Sequence, residues 1–383
     1  MVEQKKVSLD SIYCVAYGLF LAGTILGQTL LPVNPFIRHF MIGMGVTLII
    51  FILGVNVIRN TKISKRRVII YCLFIFSLII SLISVQRNRE YELLSSVLFI
   101  FSSENINFKS ILKTFISVTV AVLAIMLVAY ALGIIGNGTI QRQSSIGTNR
   151  ITFGYRSATD LVQLVSYILL ADIVLWYEGK GPIHTRIFIY FFLGLVSWFF
   201  TDSRLASFSI VIMIPLIIIL KYADVPLNNK ILNIFLSYSF EICLFVSVFI
   251  MDMFMKYHSS VLMKIDVFSS ARLTNTEMGI KWFNYSLWGQ DIYTRILQYW
   301  SGWFYIDSSY YTFLLEYGIA LLCIATLMYT VTVKKELQHN DVVIPIVMAM
   351  VSIESMICRE YFLIEYNVFL LAFLANIKIG REK

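Results

Sequence analysis

Apolar runs of about 20 residues recur along the whole chain, and nothing constrains its fold more. That is the length of helix needed to cross the hydrocarbon core of a bilayer. A water-soluble domain would have to bury several such helices on every side. Hydrophobic residues make up 58% of the 383 and charged residues only 14%, about half the share of soluble domains. The chain is therefore expected to be all-α, a polytopic integral membrane protein forming one membrane domain over residues 1–383. Lys5 and Lys6 ahead of the first run resemble a signal peptide. The run stays uncharged from Ser11 to Leu31 and no small-x-small cleavage site follows, which predicts a retained span.

Hydropathy predicts about 12 transmembrane helices: Ser11–Leu31, Phe40–Ile58, Val68–Val85, Tyr91–Ser103, Thr114–Ile135, Leu161–Tyr177, Ile187–Phe200, Leu205–Leu220, Ile231–Met251, Tyr310–Val333, Val342–Ile357 and Tyr361–Ile379. With both termini in the cytoplasm, 18 of the 31 Lys and Arg fall inside, including the dense cluster from Arg59 to Arg67. This agrees with the positive-inside rule, and the net charge of +8 then reflects membrane anchoring rather than nucleic-acid binding. The long extracytoplasmic loop Asp252–Ser309 is too long for a simple connector. Ser270 is expected to cap a helix through Phe283, and Ile292–Tyr305 reads as an amphipathic stretch that lies on the membrane.

The two sides use different cations. Of the 18 inner charges 13 are Lys, whereas 10 of the 13 outer ones are Arg: Arg38, Arg87, Arg89, Arg142, Arg150, Arg156, Arg204, Arg272, Arg295 and Arg359. A point charge suffices for anchoring, but a planar bidentate fork suits phosphate. The outer face is thus expected to hold an anion such as a diphosphate. Arg204 stands out in Thr201-Asp-Ser-Arg204, a short break between apolar runs, with Asp202 as a structural partner or a cavity as its alternative. Asp172, Glu241, Glu316, Glu354 and Glu365 lie within spans, a pattern that fits an ion relay in a transporter or hydrogen bonds between helices. Soluble catalytic motifs such as Walker A, GxGxxG, HExxH and GxSxG are missing. Four scattered histidines and five scattered cysteines offer no metal spacing, so neither a metal nor another cofactor is expected.

Four stretches carry a family resemblance. They are Arg150-Ile-Thr-Phe-Gly-Tyr-Arg156, Thr201-Asp-Ser-Arg204, Ser270-Ala-Arg272 followed by Gly289, and Asp307-Ser-Ser-Tyr310 running into Leu314, Leu315 and Gly318. In order and placement the chain resembles the Wzy-type oligosaccharide repeat-unit polymerases of the O-antigen polymerase and ligase superfamily. It departs from the pattern where Ala271 replaces a glycine, Trp288 an apolar residue and Ser308 an asparagine, and it lacks the ligase histidine. The resemblance implies a membrane glycosyltransferase that polymerises undecaprenyl-diphosphate-linked oligosaccharide on the outer leaflet without metal or nucleotide sugar. The product would be a capsule, an exopolysaccharide or O-antigen. It also implies a flippase and a chain-length regulator as partners, and no nucleic acid. Arg204 and Arg272 would stabilise the leaving diphosphate with Arg150 and Arg156 binding it, Asp307 would serve as base, and Trp303 and Tyr310 would stack on sugar. A ligase of the same superfamily and a lipid-linked oligosaccharide flippase or transporter are the alternatives.

Overall fold

The computed structural model describes residues 8–59, 64–88, 91–138, 150–179, 181–222, 229–298 and 304–377. The regular structure among these residues is helical, with no strand. In chain order the helices are α1 (Leu9–Gln28), α2 (Pro35–Arg59), α3 (Lys65–Asn88), α4 (Tyr91–Ser102), α5 (Phe108–Ala131), α6 (Ala158–Gly179), α7 (Ile183–Thr201) and α8 (Arg204–Tyr222). There follow α9 (Lys230–Ser237), α10 (Ser239–Tyr257), α11 (Ser260–Phe268), α12 (Arg272–Phe283), α13 (Tyr293–Ile296) and α14 (Ser309–Thr312). After a π turn at Phe313–Tyr317 come α15 (Ile319–Gln338), α16 (Val343–Glu354) and two 3₁₀ segments, Glu360–Phe362 and Val368–Phe373.

Among the described residues seven helices, α1, α2, α3, α5, α6, α7 and α8, are long and apolar enough to cross a membrane. The pair α9 and α10, bent by 65° at Tyr238, makes an eighth if it is one broken span. The chain is thus a multi-pass membrane protein. Its outward faces carry large exposed apolar side chains, among them Phe40, Phe51, Phe188, Phe199 and Phe245, as lipid contact requires. The most buried of the seven is α6. Two helices longer than their predicted runs, α7 and α8, regain full length because their flanking charges are paired: Arg186 clamps Asp172 at 2.7 and 3.0 Å, and Arg204 binds Asp202.

The last predicted spans differ from regular helices. Gly318, at φ +102, breaks the tenth between the π turn and α15. The eleventh, α16, has only 12 residues. The twelfth is 3₁₀ and irregular, and its backbone is buried in protein, with Tyr361, Phe369 and Leu371 in the core. Buried non-helical backbone needs protein groups to supply its hydrogen bonds. Asn367 does so here, donating to the Tyr361 carbonyl at 2.8 Å and accepting from the Phe369 N–H at 3.2 Å.

The helix ends gather into two groups. At one end the stretch 150–156 joins α1 and α7: Arg156 N–H donates to Gln28 O at 2.8 Å, Leu30 N–H to Gly154 O at 2.8 Å and Ile151 N–H to Phe200 O at 2.9 Å. The segment Asp252–Ser309 reaches this same end, because the guanidinium of Arg204, at the break after α7, lies over its Phe268 ring at 5.7 Å. At the other end Asn105 and Phe108 bond to Leu374 and Asn376. The long segment has a small core of its own, built on Met251, Phe254, Phe283, Ile292, Ile296, Phe304 and Ile306. Its capping differs from expectation. Ser270 does not cap α12; the Asp266 carboxylate does, accepting from Leu273 and Thr274 N–H at 2.8 and 3.2 Å. A carboxylate satisfies two of the unpaired N–H groups of the first turn and suits its positive dipole end. Within Ile292–Tyr305 only Tyr293–Ile296 is helical among the described residues.

Candidate active site

The stretch 284–290 fills the break between the π turn and α15. Ser286 N–H donates to Leu314 O and Ile319 N–H to Ser286 O, both at 2.9 Å, while Gln290 N–H reaches Glu316 O at 2.9 Å. The carbonyls and amides that a π turn leaves open are thereby paired. This contact admits only glycine at two points. A Cβ on Gly289 would lie 2.5 Å from Glu316 O, and one on Gly318 would lie 2.6 Å from Gly289 N. Arg87, at the end of α3, donates to the Gly289 carbonyl and ties this junction to the N-terminal half.

Above this junction sits the pair Arg272 and Asp307. Arg272 opens α12 behind Ser270 and Ala271, both in the left-handed region at φ +67 and +62. That conformation explains why glycine would be favoured at 271, where this chain has alanine. The turn aims the guanidinium back across the end of the bundle. Its Nε meets Asp307 Oδ2 at 2.8 Å, and its Nη1 donates to the Ile357 carbonyl. Burial pushes the Asp307 carboxyl above its ordinary value, and Arg272, Arg359 and Arg150 draw it back. Asp307 caps no helix: the N-cap of α14 is Ser308, with no side-chain bond.

Arg359, in the turn after α16, is held by aromatic rings. Its guanidinium lies 5.5 Å from the Tyr293 ring centre and 5.4 Å from that of Tyr305, with Nη1 3.2 Å from Tyr293 Oη. Glu316 Oε1, fully buried in the π turn, lies 3.8 Å from its Nη2. Arg150 joins the break between α7 and α8 to the cluster, donating to Thr201 O at 3.0 Å and Asp202 O at 3.1 Å. Arg204 puts Nε 2.9 Å from Asp202 Oδ1 and lies over the Phe268 ring at 5.7 Å. Arg156 holds its backbone on Gln28 and exposes its side chain.

Five of the sequence-predicted site residues, Arg150, Arg156, Arg204, Arg272 and Asp307, thus lie at one end of the bundle. Tyr310 is placed differently. It is fully buried, its ring 4.9 Å from Phe240 and its hydroxyl donating to Ser352 O at 2.9 Å, so in this structure it packs the bundle. Trp303 lies outside the described residues, as do Trp300, Arg89 and Arg142. The sequence reading missed the carboxylates of Asp160, in the first turn of α6, and Glu360, beside Arg359. Both interact electrostatically with Asp307 and Arg359. The adjacency of Glu360 to an outer arginine and the Ser157-x-x-Asp160 pattern were the available signals. Among the described residues no group of His, Cys, Asp and Glu is arranged to hold a metal ion. Of the acids within spans, Glu354 accepts from Gln163 at 3.1 Å and from Ser166, and Glu241 accepts from Thr330 at 2.6 Å.

No protein-family model matches this chain, and neither does any curated protein or solved structure.

Proposed function

We propose that the chain is a membrane glycosyltransferase that polymerises oligosaccharide repeat units carried on undecaprenyl diphosphate, with the arginine-rich end facing the outer leaflet, both termini in the cytoplasm and twelve passes of the membrane. One observation carries the reading: among the described residues, Arg156, Arg204 and Arg272 keep guanidinium donors unused at one end of the bundle. Arg272 spends Nε and Nη1 on protein and leaves Nη2. Arg204 spends Nε alone, and the Arg156 side chain is exposed. Preorganised cations are what a leaving diphosphate needs, since its charge grows as the glycosidic bond breaks. Arg150, Arg359 and Asp307 are tied to protein and would hold this frame in place. Asp307 fixes the direction of the Arg272 fork. Tyr293 and Tyr305 replace Tyr310 as the rings best placed to border a sugar site.

Deletion of the gene followed by sizing of the surface glycan tests this. The expected result is glycan of single-repeat length. Loss of all surface glycan would assign a flippase instead, and full-length glycan left unattached would assign a ligase.

A further inference from the structure

Asp160 lies one turn beyond Arg156, on the same end of the bundle as the free arginines. Ser157 caps α6 there, accepting from Asp160 N–H at 3.3 Å and donating to Asp160 Oδ1 at 2.9 Å. Oδ2 makes no hydrogen bond among the described residues, and the side chain is half-buried rather than sealed. Charged groups from several elements act on it electrostatically: Arg359 and Glu360 in the turn after α16, Arg272 on α12 and Asp307 in the stretch before α14. Tyr155, Tyr305 and Tyr366 lie within range of its charge. Glu360 is the second unusual group: it is 6% exposed, and its Oε2 has no hydrogen-bond partner. A buried carboxylate oxygen without a donor is uncommon in a folded protein and calls for a proton or a ligand hydroxyl to satisfy it.

Asp307 differs in its electrostatics: its Oδ2 is held by the Arg272 guanidinium at 2.8 Å, and Arg359 and Arg150 also draw on its charge. A carboxylate that takes a proton there gives up its ion pair. A general base needs an oxygen free to face the hydroxyl it deprotonates, and Asp160 Oδ2 is such an oxygen on a carboxylate with no ion pair among the described residues.

We propose that Asp160, backed by Glu360, is the carboxylate that receives the proton of the attacking sugar hydroxyl. The inference rests on the polymerase reading. In the step, the acceptor oxygen bonds to the anomeric carbon of the donor glycan. The bond from that carbon to the lipid diphosphate breaks, and its electron pair leaves with the diphosphate, beside Arg272 Nη2. The hydroxyl proton passes to Asp160 Oδ2. Glu360, closed off from solvent, acts on Asp160 through its charge rather than by touching the sugar.

Azide separates a base from a merely structural residue, because the azide anion attacks the same carbon with no proton to lose. The assay uses purified full-length protein with lipid-linked repeat units extracted from the deletion strain, with and without azide. Wild-type protein is expected to extend the glycan and, with azide, to form the glycosyl azide. Asp160→Asn should slow extension about 10²–10⁴-fold yet form glycosyl azide at a near-normal rate. Glu360→Gln should slow extension less and also spare the azide product. Normal extension by Asp160→Asn would overturn the inference. So would loss of both products in Asp160→Asn, which would assign Asp160 to capping α6. Wild-type protein that makes neither product would instead overturn the polymerase reading.

Discussion

Arg204 is both a structural partner and a candidate ligand, and the two roles use different atoms. Its Nε is spent on Asp202 at 2.9 Å, while both Nη groups stay free. Lysine in its place would keep a charge near Asp202 and lose the fork. Arg204→Lys is expected to accumulate normally in the membrane and to lose roughly tenfold in chain extension, which corresponds to about 1.4 kcal/mol of transition-state binding. Product length at the wild-type value would reduce Arg204 to the ion pair. Asp307 calls for a different comparison. Removing one member of a buried pair strands the other, a cost of about 3–5 kcal/mol when burial is complete. Asp307 and Arg272 remain about a fifth exposed, so the loss should fall toward the lower end. Thermal unfolding in detergent should show Asp307→Asn less stable than the double variant Asp307→Asn with Arg272→Gln. Equal or greater stability of the single variant would mean that the pair is not held in solution.

At the scale of elements, the decisive feature is the break at Gly318, between the π turn and α15, with the stretch 284–290 seated in it. Gly318→Ala would place a side chain at φ +102 and drive a Cβ to within 2.6 Å of backbone. Strain of this kind costs about 1–3 kcal/mol, and the clash adds to it. The expected outcome is a lower midpoint of thermal unfolding together with loss of polymer, because Glu316 and Gly318 belong to the same turn that Arg359 reaches. A variant with unchanged stability would show that the junction opens freely. This break was only partly legible. Gly318 and Gly289 are visible in the sequence, but a run such as Tyr310–Val333 has the hydropathy of one uninterrupted helix. What interrupts it is a contact with residues some 30 positions earlier, and no local pattern reports that.

For the whole molecule, the gathering of helix ends makes a topological prediction. In a background with the five native cysteines replaced, single cysteines at Gly138 or Asn284 should react with a membrane-impermeant thiol reagent in intact cells, and those at Lys62 or Gln338 should not. Replacement matters because Cys72 and Cys323 are exposed. Protection of position 284 would put the arginine-rich end in the cytoplasm and remove the proposed function. Charge neutralisation by arginine makes a second prediction. Purified protein should extend lipid-linked repeats in excess EDTA, and activity lost there and restored by magnesium or manganese would show that the arginines are not sufficient.

The sequence by itself determined the class of the molecule. Twenty-residue apolar runs admit only helices in a bilayer, since every backbone polar group must be satisfied within its own segment. It also picked out the arginines of one end, because Arg and Lys segregate along the chain in a pattern visible by reading. Tertiary structure decided what each side chain is free to do. Arg150 and Arg359 look the same as Arg204 and Arg272 in the sequence, yet the first two are held by carbonyls, rings and carboxylates, and the latter two keep donors free. Tyr310 looks exposed beside an outer loop but is buried, while Asp160 and Glu360 become neighbours across 200 residues. Hydropathy measures how a residue partitions into lipid one position at a time. Whether a charge is spent or available depends on which distant groups reach it, and only the packed bundle fixes that.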